Sequence, residues 1–256
     1  MYELVGIDVR ADGPVRVVTL NHPDELNAFS EDLHAQFVEL WAHVDRDEEA
    51  RAVVLTGAGK AFSAGGSYDD FERRRVDLAA RRRSLRLAQQ LVDAMLNVAV
   101  PVVAAVNGPA VGLGCTITTL CDIVFMAETA FLADTHVSVA LVAGDGGAVT
   151  WPAMTSLLRA KQYLLTGDRL SAAEAVSLGL ANFAVPADEL LADATAYAHR
   201  LAAQPRQAVQ ETKALLNQHL KANAVRALAQ GLAAESQSHD TPEYKAIGDT
   251  LKPKES

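Results

Sequence analysis

The chain predicts an α/β fold that continues into a helical C-terminal region, and three observations carry that expectation. Residues 52–55 and 102–106 are short, wholly apolar runs, the pattern of strands buried on both faces of a parallel sheet. Each runs into a glycine-rich segment, and stretches with apolar residues at helical spacing lie between and after them. Strand signals stop near residue 185, and alanine- and leucine-rich helical sequence continues to about residue 238.

Residues 3–9 and 15–20 read as two strands joined at Asp12-Gly13-Pro14. Ser30 can cap a helix whose apolar residues Leu33, Phe37, Leu40, Trp41 and Val44 share one face. The strand at 52–56 ends in Gly57. A helix is predicted from Ser84, with Leu85, Ala88, Leu91, Val92, Met95 and Leu96 on its apolar face. The strand at 102–106 ends in Asn107-Gly108, and another strand falls near 123–126. Ser171-Ala-Ala-Glu174 is a capping box that opens a helix. Leu215, Leu216, Leu220, Leu228 and Leu232 need more cover than a short tail supplies. The chain therefore divides into a core of residues 1–200 and a helical region, 201–256, that packs on the core and on a neighbouring subunit.

A length of 256 residues suits one large domain or a domain with an appendage. A net charge of −9 argues against general nucleic-acid binding. The two cysteines, Cys115 and Cys121, match neither a metal pattern nor a disulfide framework and fit a reducing compartment. The N-terminal residues lack the pattern of a signal peptide, and the apolar stretch at 98–106, broken by Pro101, is too short for a membrane span. The composition leads to the expectation of a cytoplasmic protein without membrane or nucleic-acid partners, and no ligand set for a metal is apparent.

The segment GKAFSAGGSYDD, residues 59–70, follows the first apolar strand and admits several readings. A phosphate loop needs Ser or Thr after Gly-Lys, and Ala61 stands there. A dinucleotide loop would need glycine where Phe62 stands. A nucleophile elbow around Ser63 fails at its first residue and is followed by Gly65-Gly66 rather than a helix. Its histidine partner would have to come from His199, His219 or His239, on segments that read as amphipathic surface. The remaining reading needs no side chain: small residues let backbone N–H groups approach a ligand oxygen. The segment 107–116, NGPAVGLGCT, is a second junction of the same kind. Two such loops can supply the two donors of an oxyanion hole.

On these motifs the sequence resembles the enoyl-CoA hydratase/isomerase (crotonase) family. LNHPDELNAFS, the GKAFSAGG loop, NGPAVGLGCTITTLCD and LTGDRLSAAEAVSLGLAN all stand in that family's order, across residues 15 to about 185. The resemblance implies a spiral of ββα turns with a C-terminal helical trimerisation region. It implies a coenzyme A thioester as ligand, with no separate cofactor, and a homotrimer or hexamer. The thioester oxygen would accept N–H bonds from Gly66 and Leu113. Leu26, Ala28, Ala64, Gly65, Gly66, Ser67 and Tyr68 would form the coenzyme A site, and Ser63 would be structural.

The departures bear on the chemistry. The family's usual Asp is Ser67 here, and a usual Gly is Leu113. The two hydratase glutamates would fall at Thr116 and near Thr135-His136, and neither position holds one. Asp145, in VAGDGG, is a candidate proton carrier in the pocket loop or an N-cap. His136, with Asp134, is a candidate base or part of a surface turn. Cys115 lines the pocket or is a small buried apolar residue. The arginines at 73–75, 81–83 and 86 attract coenzyme A phosphates or form a solvated helix face. His22, His34 and His43 read as polar or helix-surface residues without a role. The leading function is an acyl-CoA enzyme that stabilises a thioester enolate, for isomerisation, modified hydration or bond cleavage. A non-catalytic acyl-CoA binding protein and, more distantly, a serine hydrolase are the alternatives.

Overall fold

A computed structural model describes residues 2–248. Strands β1 (Ile7–Asp12) and β2 (Val15–Leu20) form a hairpin closed at Gly13-Pro14, with Asp12 opposite Val15. The first strand was expected at residues 3–9. It starts later because Gly6 sits at φ +76°, a left-handed turn that no strand continues through. Helix α1 (Glu31–Arg46) begins as predicted: the Ser30 Oγ accepts the Leu33 N–H at 3.1 Å, and the predicted apolar face is buried.

Strand β3 (Ala52–Gly57) is followed by two helices, α2 (Tyr68–Val76) and α3 (Leu78–Asn97). The sequence predicts a single helix from Ser84. The start lies earlier because Asp77 caps α3, accepting the Ala79 N–H at 2.7 Å, and arginine is a good helix former. Then come β4 (Val102–Val106), β5 (Ala110–Val111), α4 (Leu113–Leu120), β6 (Ile123–Ala127), β7 (Phe131–Ala133), α5 (Gly147–Met154) and α6 (Leu157–Leu164). The chain continues through β8 (Leu170–Ser171), α7 (Ala172–Leu178), β9 (Phe183–Val185), α8 (Leu190–Ala202), α9 (Arg206–Ser238) and α10 (Pro242–Gly248). The capping box of Ser171 and Glu174 is formed.

The larger sheet has the order β1-β2-β3-β4-β6-β9, and from β2 onward its pairs are parallel. A smaller sheet, β5-β7-β8, forms a second wall. Isolated parallel bridges, Phe29 to Gly66 and Ser63 to Ala110, extend that wall toward the N-terminus. The repeating unit is therefore a strand in the large sheet, an extended piece in the second wall and then a helix. This is a ββα spiral.

Helix α8 covers the large sheet, placing Leu190, Ala194, Ala198 and Ala202 against it at four-residue spacing. Helix α9 packs against α3 and α5. Polar anchors hold its first half: Lys213 Nζ reaches Asp122 Oδ2 at 2.7 Å and Val100 O at 2.8 Å, and Asn217 donates to Leu96 O. Leu228 and Leu232 are buried in the chain's own core, whereas Leu215, Leu216 and Val225 are 71%, 63% and 85% exposed. Further along, α9 meets the site loop backbone to backbone. A Cβ on Gly144 would stand 2.4 Å from the Gly231 carbonyl oxygen, so only glycine permits this approach. No helix among the described residues is long and apolar enough to cross a membrane.

Candidate active site

Two strand-to-helix junctions meet at Gly65. Its φ is +91°, and a Cβ there would lie 2.8 Å from the Val111 oxygen, so the loops touch through bare backbone. Ser63 supports the contact from below. It is buried, its Oγ donates to Asn27 O at 2.8 Å and accepts the Gly65 N–H at 3.1 Å, and its N–H donates to Pro109 O. Ser63 is a structural residue, as the resemblance implied. No histidine bonds its hydroxyl, which removes the nucleophile-elbow reading.

Around Gly66 the second wall is held by Phe29 N–H to Gly65 O at 2.7 Å and Ser67 N–H to Phe29 O at 3.0 Å. In such a parallel bridge the middle residue turns its own N–H away from the neighbouring strand. Leu113 is the first residue of α4, and its N–H lies beyond reach of any intrahelical acceptor. Both residues line one cavity of about 260 Å³. The leucine side chain does not close it.

The opposite wall carries the titratable groups. Asp145 is buried, and its Oδ1 accepts the Thr116 hydroxyl at 3.0 Å while its Oδ2 faces His136 Nε2 at 3.3 Å. The other ring nitrogen of His136, Nδ1, lies 2.6 Å from Asp134 Oδ1. Asp145 does not cap α5, whose N-cap is Gly146. Nor is the Asp134–His136 pair a surface turn: both residues are buried. Burial by itself lowers a histidine, but the facing Asp145 and Asp134 carboxylates outweigh it and hold His136 well above its ordinary value. Burial likewise raises a carboxyl, yet the His136 charge and the hydrogen bonds from His136 and Thr116 keep Asp145 below its usual range. At neutral pH the pair is imidazolium and carboxylate.

A third group comes from α9. Glu235 is buried and lines the same cavity, and its Oε2 has no hydrogen-bond partner among the described residues. Burial, reinforced by Asp145, pushes its carboxyl up to about 7 against the opposing pull of His136 and Arg74. Sequence reasoning missed it because Glu235 lies 90 residues beyond Asp145 (235 − 145) on a helix that reads as surface. Its one available signal is Gly231, a glycine four positions earlier inside a helix, which marks a close backbone approach.

Two histidine readings are corrected. His34 is on the buried face of α1, lines the cavity, and is lowered to about 4 by burial, so it is neutral. It falls there because position 34 follows Leu33 on the face that packs inward. His239 is buried against Tyr244, with ring centroids 4.6 Å apart, rather than on an amphipathic surface. Of the residues expected around coenzyme A, Ala64, Gly65, Gly66 and Tyr68 line the cavity. Leu26 contacts this loop through its carbonyl, which accepts the Ala64 N–H at 2.9 Å, and Ser67 caps α2. Ala28 lies in the preceding turn, its N–H donating to Glu25 O. Cys115 is fully enclosed and does not line the cavity, and burial holds its thiol well above the ordinary value. The arginine cluster is largely spent on internal pairs: Arg73 with Asp70 and Glu31, Arg75 with Glu72, Arg81 with Asp240, and Arg83 with Glu31. Arg82 and Arg86 stay exposed, and Arg74 lines the cavity.

A ββα spiral whose cavity lies between two glycine junctions and a C-terminal helix defines the crotonase fold class. The family model described as enoyl-CoA hydratase/isomerase matches residues 10–248. The chain belongs to the enoyl-CoA hydratase/isomerase family, and with it to enzymes that act on acyl-CoA thioesters. A crystal structure of an enoyl-CoA hydratase/isomerase from Mycobacterium paratuberculosis is similar over 98% of this chain and 100% of that one, with 49% identity and a TM-score of 0.94. Among curated relatives, a short-chain-enoyl-CoA hydratase of Clostridium acetobutylicum is 31% identical, covering 95% of this chain and 93% of its own. A 1,2-epoxyphenylacetyl-CoA isomerase of Escherichia coli is 36% identical, covering 75% and 74% respectively.

Proposed function

We propose that this enzyme moves protons next to an acyl-CoA thioester, isomerising or hydrating its acyl group through an enolate held by the Gly66 and Leu113 amides. One observation carries the reading: two backbone donors and two carboxyl side chains, Asp145 and Glu235, line a single cavity. The amides bind the oxygen where negative charge develops. They cannot carry a proton, and the carboxyls can. Asp145 is ionised and accepts one; Glu235, poised near neutrality, delivers one. Thr116, standing where the resemblance places a glutamate, contributes the hydroxyl that orients Asp145. Two carboxyls are thus restored to the site from other positions. Isomerisation is the better-supported of the two reactions, because it needs no water: the Asp145 carboxylate takes a proton from one carbon, the Glu235 carboxyl gives its own to another, and transfer of a proton from Asp145 back to Glu235 restores the starting pair.

Acyl-CoA thioesters are expected to raise the melting temperature by mass action, measured by thermal shift across saturated, enoyl and 3-hydroxyacyl-CoA panels. Stabilisation by none of them would sink the ligand assignment. Turnover on the enoyl panel, followed by product analysis, separates isomerisation from hydration.

The reading includes self-association into a trimer or a pair of trimers. Its support is the row of Leu215, Leu216 and Val225, exposed on α9 of the single chain. Sedimentation at micromolar concentration is expected to give three or six copies; a monomer would overturn it. The two unpaired buried thiols fit a reducing cytoplasm.

A further inference from the structure

The cavity holds a cation that the proton-transfer reading does not use. Arg74 reaches it from α2. Its Nε donates to the Asp70 carbonyl oxygen at 3.1 Å and its Nη1 to Ser84 Oγ at 2.7 Å. The third nitrogen, Nη2, lies 3.3 Å from the point where a Cβ on Gly66 would stand. Both fixed contacts are to neutral oxygens, which orient the guanidinium without balancing its charge. The Asp70 carboxylate is committed elsewhere, to Arg73 and to the Glu31 N–H. The neighbouring Arg73 and Arg75 each have an acidic partner, whereas among the described residues Arg74 is in no ion pair. The carboxylates on the far wall, Asp134 and Asp145, already face His136, and Glu235, whose buried carboxyl feels the Arg74 charge across the cavity, forms no ion pair with it.

A guanidinium fixed on two sides, open on the third and without an ion pair among the described residues is a receptor for an anionic oxygen. Its position sets where that oxygen belongs. Gly66 is one of the two donors assigned to the thioester oxygen, so Nη2 addresses atoms only a few bonds from the thioester carbon. Phe29, Phe71, Ala88 and Leu141 supply apolar lining for the carbons between.

We propose that Arg74 selects acyl-CoA substrates whose short acyl group carries a second carboxylate, which pairs with its open guanidinium edge. The proposal rests on the acyl-CoA reading above and deepens it by naming the substrate class. Arginine suits the task because its planar fork binds a carboxylate with two parallel hydrogen bonds.

Succinyl-CoA and butyryl-CoA have acyl chains of equal length and differ in a terminal carboxylate against a methyl group. Calorimetric titration of each into the full chain separates the charge from everything else. The wild type is expected to bind succinyl-CoA about tenfold or more tighter than butyryl-CoA. Arg74→Met should abolish that preference by weakening succinyl-CoA alone, and Arg74→Lys should restore part of it. Melting curves identify a variant that fails to fold, and the wild-type preference then decides alone. Butyryl-CoA binding with no preference for succinyl-CoA would overturn the proposal and leave the acyl-CoA reading intact. Equal weakening of both esters by Arg74→Met would also overturn it and assign Arg74 to the shared thioester. If neither ester nor any other acyl-CoA bound, the acyl-CoA reading would fall and this proposal with it.

Discussion

Asp145→Asn is expected to lower turnover on the order of 100-fold or more while acyl-CoA binding persists. Asparagine keeps the shape, and its side-chain oxygen can still accept the Thr116 hydroxyl. What it loses is the charge and the basicity. The carboxylate is buried, and it stays ionised because His136 stands 3.3 Å away as a cation. His136→Ala is the companion variant. Without the imidazolium, burial dominates and the Asp145 carboxyl moves up. A base works only above its own pKa, so the acidic limb of the pH–rate profile should shift to higher pH in His136→Ala. Asp145→Asn should lose that limb. A silent Asp145→Asn with a dead His136→Ala would instead make His136 the base.

Much of the spiral was legible because its strands are buried on both faces. Residues 52–55 and 102–106 have no polar side to confuse their assignment, and parallel strands buried on both faces read as such runs. The second wall was not legible. Its strands are two or three residues long, and two of its members are single bridges at Phe29–Gly66 and Ser63–Ala110. A pattern that short has no period to read. The glycine loops could be found because they are local, and Gly65 and Gly114 answer to close contacts between the two loops.

The acids were only half legible, for a related reason. Asp145 sits in a loop of glycines, where a lone carboxyl stands out. Glu235 sits among exposed-looking polar residues on α9 and turns inward only because Gly144 and Gly231 let that helix approach. His34 reads as helix surface for want of the same tertiary fact. Its neighbours Leu33 and Phe37 place it on the inner side of α1, but nothing in the sequence says that a cavity opens there.

Glu235→Gln is the corresponding test of the second carboxyl, and its clearest readout is pH. The wild-type carboxyl titrates at about 7 inside the protein, against an ordinary value of 4.5. As the proton donor it is active when protonated, so turnover in the wild type should fall as pH rises through about 7. Glutamine cannot donate an acidic proton, and the variant should be slower on the order of 100-fold, without that descending limb. Stability supplies an independent reading with its own sign. A carboxyl raised in the folded state contributes stability that is complete below its unfolded value and is lost as pH climbs through its folded one. The wild type should therefore lose melting temperature as pH rises from about 4.5 through about 7, the interval between the two titrations, while Glu235→Gln, neutral throughout, loses less. A variant that keeps the descending limb would show that another group delivers the proton. One that kept the limb and also melted in parallel with the wild type across that window would show that Glu235 is already ionised at neutral pH, and the two-carboxyl reading would fail.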